Sequence, residues 1–490
     1  MSGFTLSTEK LDYSFDERGV LTGFRECATG IDLAKPGSYA FYLLPGVAVK
    51  PYPEAVPPAE VIYAQNVLTV RFPTVCFNLL VQCFAGHLRF TVIDQQPLGV
   101  DYGRFVFGGA VLRDDPATSF SGTAISLHLR CNLLELPGRS EQLGALAYAK
   151  LGAVGASAAI AGAKFEDLRA ILKRAIAHLS IDDIPMKPYG GPYGAEAPGA
   201  RDDYVLACTT PDISDDRWLA PLLKSGISQV DFHHGFLYRH ADYRFDPDLF
   251  PRGVLDFRSK VSDVLHEQNC LAGLHSYTGM VDVRSNFVSP VPDPDLYSFA
   301  EYTLAEDLDA QSDWLSIEEN ATEVPFYQTT HTTQEVTCLL IDHEIISFSG
   351  HDDAHRLTGC RRGHLGTTAQ THRKVGKLRH LRSMYNLFQC TPGSALFYKL
   401  AKNKAQTYNE GGFDMMYFDG LECIGACCTG DLEGLGWYYE ALFVRETLRH
   451  CIRTPLVEYS TLHPLLWTAR SRAGAFDYPT AAYKRFIDLH

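Results

Sequence analysis

The chain has 490 residues with a net charge of −14, 46% hydrophobic and 21% charged side chains, which excludes disorder and allows more than one core. The acid excess argues against a nucleic-acid partner, because holding phosphates needs Lys and Arg in surplus. The one basic stretch, Arg361 to Arg382, is brief and suits a solvated or substrate-facing loop.

From Phe4 to about Arg130 the signals are short and β-like. Leu11 to Asp16 alternates, Glu17-Arg18-Gly19 turns, and Val20 to Phe24 resumes, which predicts a hairpin. Runs at 39–44, 61–63, 67–72, 88–93, 105–112 and 124–129 follow between Pro and Gly clusters, predicting a β-sandwich with a structural or substrate-positioning role. Leu143 to Ala163 is rich in Ala and Gly with only Lys150 charged; it is weak as a membrane span and predicts a buried helix. Phe165, Leu168, Ile171, Leu172, Ala175 and Ile176 then recur at helical spacing. The first domain is therefore 1–183 with trailing helices. The Pro- and Gly-rich stretch 184–202 is the linker, and 203–490 is a second domain.

In that second domain strands alternate with helices. Strands are expected at 203–208, 227–234 and 270–277, and helices at 218–225 and 254–268. Parallel pairing follows, hence a (β/α)8-type barrel or an open doubly wound sheet, of which the barrel is preferred. Between about 297 and 376 the pattern breaks into short antiparallel runs, an inserted β-subdomain able to wall a site. Its basic end, Gly359 to Thr368, reads as a tight turn or as a loop holding an anionic substrate. A helix over 394–408 feeds the fourth strand, Phe413-Asp414-Met415-Met416-Tyr417-Phe418-Asp419-Gly420; a helix over 438–451 feeds the fifth, Pro455 to Ser460. Five strands are legible and eight are not, so the barrel is incomplete, or its late units are irregular.

The chemistry concentrates at strand ends. Asp419 follows an apolar run and precedes Gly420, a position at which a barrel places its active site; a turn or helix cap explains the same acid. Glu458 lies one strand–helix–strand unit later. Two carboxyl groups on neighbouring strand tips match glycoside cleavage, Asp419 as nucleophile and Glu458 as general acid/base, with Glu422 and Asp414 as competitors. Around them Asp231, His233, His234, His275, Tyr277, Glu422, His463, Trp467, Arg470 and Arg472 are candidate substrate contacts. Tyr277 and Trp467 are stacking platforms or core. Arg470 and Arg472 suit an anionic group or a helix-end salt bridge. The imidazoles with Asp231 also make a divalent-metal reading available, though without HxH or HExxH spacing. No motif calls for a cofactor, so none is expected. The G-x-S-x-G elbow and the P-loop do not occur.

A β-sandwich leading into a barrel whose fourth strand reads Phe-Asp-Met-Met-Tyr-Phe-Asp-Gly resembles the TIM-barrel glycoside hydrolases of the α-galactosidase and endo-α-N-acetylgalactosaminidase type. That resemblance implies Asp419 as the strand-four nucleophile and Glu458 as the acid/base of a following strand. The expected activity is retaining cleavage of an α-linked glycan, acidic or decorated ones included, in polysaccharide degradation. The alternatives are a metal-dependent hydrolase or lyase using His233, His234 and His275, and a non-catalytic carbohydrate-binding protein. The expected partner is a carbohydrate, with no nucleic acid or membrane. The 13 cysteines are odd in number and lack metal spacing, and no leader precedes Phe4; a cytoplasmic location is therefore expected, or a secreted one for a trimmed chain.

Overall fold

The computed structural model describes residues 3–47, 54–185, 189–199, 202–207, 216–233, 237–329 and 333–471. The chain divides into two compact units, one formed by Met1–Arg201, Glu433–Leu448 and Leu456–His490, the other by Asp202–Leu432 and Arg449–Pro455. The segments 433–448 and, among the described residues, 456–471, expected in the second domain, group with the first.

The first unit is built from antiparallel sheets. Leu11–Asp16 pairs with Leu21–Glu26, as alternation dictates, and Gly3–Ser7 adds on the other side. A six-stranded sheet runs from Phe120–Ser126 to Glu60–Ala64, and a four-stranded one from Cys131–Leu133 to Phe41–Leu44. These sheets share one core, in which Phe77 and Phe105 stack 4.1 Å apart. Leu143 to Ala163 is not the expected helix but contributes the strands Gln142–Tyr148 and Ser157–Lys164. Small residues serve the sheet: a Cβ on Gly162 would lie 2.8 Å from Leu11 and 2.9 Å from the Phe24 ring, so the strand can press onto that aromatic layer only without one. The helix begins at Phe165 and buries Leu168, Ile171, Leu172, Ala175 and Ile176.

The second unit carries the parallel strands. Tyr204–Ala207, Gln229–His233, Leu271–Tyr277 and Met415–Asp419 pair side by side in chain order, all parallel. Among the described residues they form an open sheet; the closed barrel expected from the βα alternation is not formed. The helix Ala395–Gly411, capped by the Ser394 hydroxyl and ended by the left-handed Gly412, leads into the last of these strands. The insertion is antiparallel, as the broken pattern predicts. One sheet orders Ser298–Thr303, Lys377–Leu381, Cys338–Ile341 and Glu344–Ser347, and a second joins Trp314–Ser316, Arg356–Thr358 and Gly350–Asp353. Both contribute to a separate core around Leu304, Leu339, Ile346 and Leu378. Among the described residues no helix is long and apolar enough to cross a membrane, and the cysteines are free.

Candidate active site

Strand residues alternate between faces, so the register decides which side chains meet. His233 stands opposite His275, and His275 opposite Tyr417; Tyr277 stands opposite Asp419. The shared face therefore carries Asp231 and His233, then Gly273, His275 and Tyr277, then Met415, Tyr417 and Asp419. The other face is mostly apolar, with Phe232 edge-on to Phe257 and Phe257 stacked on Phe413, but it also carries Ser276.

Asp419 ends its strand with its carboxylate held at both oxygens. Oδ1 accepts the Gly420 amide at 2.8 Å, and Oδ2 lies 3.1 Å from His275 Nε2. Gly420 has φ 59°, and a Cβ there would meet Met280 at 3.1 Å and the Tyr277 ring at 3.3 Å, so the turn that presents Asp419 requires glycine. The Asp419 side chain is 20% exposed, within reach of a ligand. Burial pushes the His275 pKa below its ordinary value, partly offset by the Asp419 carboxylate, toward which Nε2–H is the donor because a carboxylate only accepts. The His233 ring lies 4.5 Å from that of His275.

Beneath the sheet a cation approaches the same strands. Lys404, from the Ala395–Gly411 helix, is 1% exposed; its Nζ donates to Ser276 Oγ at 2.6 Å and to the Tyr417 carbonyl at 3.2 Å. Burial lowers its pKa to about 7, with the Asp419 charge pulling the other way.

The remaining candidates separate. Asp231 is 1% exposed and accepts a hydrogen bond from Gln229 Nε2, so it lies packed within the sheet face rather than open to a sugar. Tyr277 is half-buried, with the His240 ring 5.1 Å and the Tyr385 ring 5.6 Å from its own. Glu422 opens the helix that follows Asp419 and is half-buried. Asp414, at the strand's opposite end, is bound to His266, the Ala272 amide and Arg453, a structural role. His234 and Arg472 lie outside the described residues.

Glu458, His463, Trp467 and Arg470 belong to the first unit. Glu458 is fully buried in the strand Leu456–Tyr459. Its charge acts on Arg470, whose pKa burial lowers to about 10 while Glu458 pulls it back up. Arg470 is 3% exposed, which places its guanidinium with an internal carboxylate instead of an anionic ligand. Trp467 packs with Leu168, Ile171 and Leu172, the core alternative for that residue. His463 lies 3.4 Å from Glu440, and burial lowers its pKa to about 3.

The ligand atoms of His233, His275 and Asp419 all lie within 4.8 Å of one another, the donor set among the described residues that suits a transition metal. Sequence reasoning missed Lys404 and Tyr385. A lysine inside an otherwise amphipathic helix was the available signal for the first; the Tyr385-Asn386 pair between two short apolar runs was the signal for the second.

No protein-family model and no curated protein matches the chain. Solved structures similar to it include the α-N-acetylgalactosaminidase NagBb from Bifidobacterium bifidum in complex with GalNAc, 11% identical, covering 94% of this chain and 78% of that one with a TM-score of 0.42. The GH36 α-galactosidase AgaA from Geobacillus stearothermophilus is 8% identical over 100% of this chain and 77% of its own, with a TM-score of 0.44. The α-galactosidase TtGalA from Thermus thermophilus, in complex with stachyose, is 12% identical over 96% and 78%, with a TM-score of 0.35.

Proposed function

We propose that the chain is a glycoside hydrolase acting on an α-linked glycan, with Asp419 as nucleophile. The observation that supports this is the carboxylate itself, at a parallel-strand tip with both oxygens fixed by a backbone amide and an imidazole. Orientation of that kind lowers the entropic part of the barrier to attack on an anomeric carbon. Asp419 would form the glycosyl ester, and a second carboxyl group would protonate the departing oxygen and then activate water. Glu422, which opens the helix after Asp419 and is half-buried, is proposed for that second role. His233 is suited to bind substrate hydroxyls beside the nucleophile. A panel of chromogenic α- and β-glycosides tests the proposal: turnover of an α-glycoside that is lost in Asp419→Asn, with folding unchanged, supports it, and full activity in that variant removes it.

The three-residue donor cluster favours a second reading, a divalent-metal hydrolase or lyase in which His233, His275 and Asp419 hold the ion. When bound, such an ion would polarise an oxygen of the substrate. Loss of turnover on chelation, restored by Zn2+, would select this reading; activity indifferent to chelator selects the nucleophile. Binding of sugars without release of reducing ends would select the non-catalytic alternative.

A further inference from the structure

A surface hairpin within the second unit presents an aromatic ring under backbone strain. Its strands, Ser383–Met384 and Leu387–Gln389, pair antiparallel around the two-residue turn Tyr385-Asn386. Both turn residues are left-handed, φ 52° and 58°, the pattern of the tight hairpin turn that favours Asn and Gly. Asn386 fits that preference. Tyr385 does not, and a bulky residue there costs on the order of 1 kcal/mol or more. Strain of this kind persists where something else fixes it, and it clusters at ligand sites.

The hairpin is fixed at its foot. Met384 and Leu387 pack with Met280 and Cys423, next to Tyr277, and Gln334 Oε1 accepts the Tyr385 amide at 2.8 Å. Tyr385 is nonetheless 43% exposed as a residue. It lies nearly parallel to Tyr277, 17° between planes and 5.6 Å between centroids. Tyr277 stands opposite Asp419 in the sheet register, and its own ring is taken up by Tyr385 and by His240, 5.1 Å away at 32°. Tyr385, stacked on Tyr277 and exposed, thus offers an aromatic side chain beside the partner of Asp419 in the sheet register.

We propose that Tyr385 is a stacking platform for a pyranose ring bound next to Asp419. The C–H groups on one face of such a ring match an exposed aromatic face, and the hydroxyls on its rim match His233 and His275. This rests on the carbohydrate reading of the site. It goes beyond that reading by assigning the binding surface to a hairpin of the insertion side, while the sheet supplies the reacting group.

The turn geometry allows a clean test in the full chain. Tyr385→Gly removes the ring and relaxes the backbone, so its thermal midpoint should equal or exceed that of the wild type. For a chromogenic α-glycoside turned over by the wild type, KM should rise about tenfold in Tyr385→Gly with kcat within about threefold, the signature of lost ground-state binding. Tyr385→Phe, which keeps the ring, should recover most of that loss. A KM in Tyr385→Gly within twofold of wild type overturns the proposal. Saturation-transfer NMR with methyl α-galactopyranoside and methyl N-acetyl-α-galactosaminide separates it from the hydrolase reading. Sugar signals present in wild type and lost in Tyr385→Gly uphold the platform even when no glycoside is cleaved. Signals equal in both proteins, or absent in both, overturn it.

Discussion

Gly273 and Asp231 stand opposite each other on adjacent parallel strands, and the missing side chain of one is the space that the carboxylate of the other fills. A methyl group on Gly273 would collide with Asp231 Oδ1, the oxygen that accepts from Gln229. Gly273→Ala is expected to cost about 1–3 kcal/mol of stability, as overpacking does. The double variant with Asp231→Ala should recover part of it, read by urea denaturation. Strictly additive losses would show that the two residues do not share that space.

Lys404 gives the second unit a pH-dependent stability of known sign. Its folded pKa of about 7 lies below that of a free lysine, so between about pH 7 and 10 the unfolded chain binds the extra proton. Lys404 therefore weighs against folding at and below pH 7, and this penalty fades as pH rises. Relative to Lys404→Met, the wild type should gain up to about 4 kcal/mol across that window, measured by denaturation midpoints at pH 7 and 10. A difference that stays constant with pH would rule the buried charge out.

The insertion has its own ionic clasp. Glu344, fully buried, accepts from Arg362 Nε and Nη2 at 2.8 Å each, from His372 Nε2 at 2.8 Å and from the Gly363 amide at 2.8 Å. Burial alone would raise its pKa; those hydrogen bonds outweigh it and bring it to about 2. Burial would lower His372, and its bonds to Glu344 and Asp342 raise it instead. The Glu344 contribution is complete above the free carboxyl value of about 4.3 and is lost as pH falls toward 2. That of His372 is complete below about 6.5 and is lost as pH rises through its raised value. Amide protection across 338–347, taken relative to the intrinsic exchange rate at each pH, should thus be greatest between about pH 4.5 and 6.5. Glu344→Gln should flatten both limbs.

His275 is expected to act through Asp419. His275→Ala should lower kcat about 10- to 100-fold on any glycoside the wild type cleaves, by releasing one oxygen of the proposed nucleophile Asp419. The far-UV spectrum should be unchanged. Activity equal to wild type would detach the imidazole from the chemistry.

Much of this arrangement was legible because local pattern and tertiary role agree. The apolar run Met415 to Phe418 ending in Asp-Gly announced a buried strand with an acid at its tip, and the break after Tyr277 announced the insertion. Where they disagree the reading failed. Ala and Gly at 143–163 favour a helix by composition only if the residues they pack against are ignored, and Phe24 and Leu11 demanded flat strands. The loop Gly359 to Thr368 kept an anion-holding reading beside the tight turn because Glu344, the partner of its Arg362, lies 18 residues away in sequence. Tyr385 escaped notice because its significance lies in a backbone angle and in a neighbour more than 100 residues earlier, neither of which periodicity can carry.

The insertion also sets an order of assembly. The strand ending in Tyr277 and the one ending in Asp419 are adjacent in the sheet, yet roughly 140 residues of chain must be looped out between them, a closure whose entropic cost is met only once both are in place. Local hairpins within the loop form sooner than this distant pairing. During synthesis the ribosome must release all of them before Asp419 can dock against His275, so a nascent chain stalled inside the loop carries the imidazoles without the acid that they face.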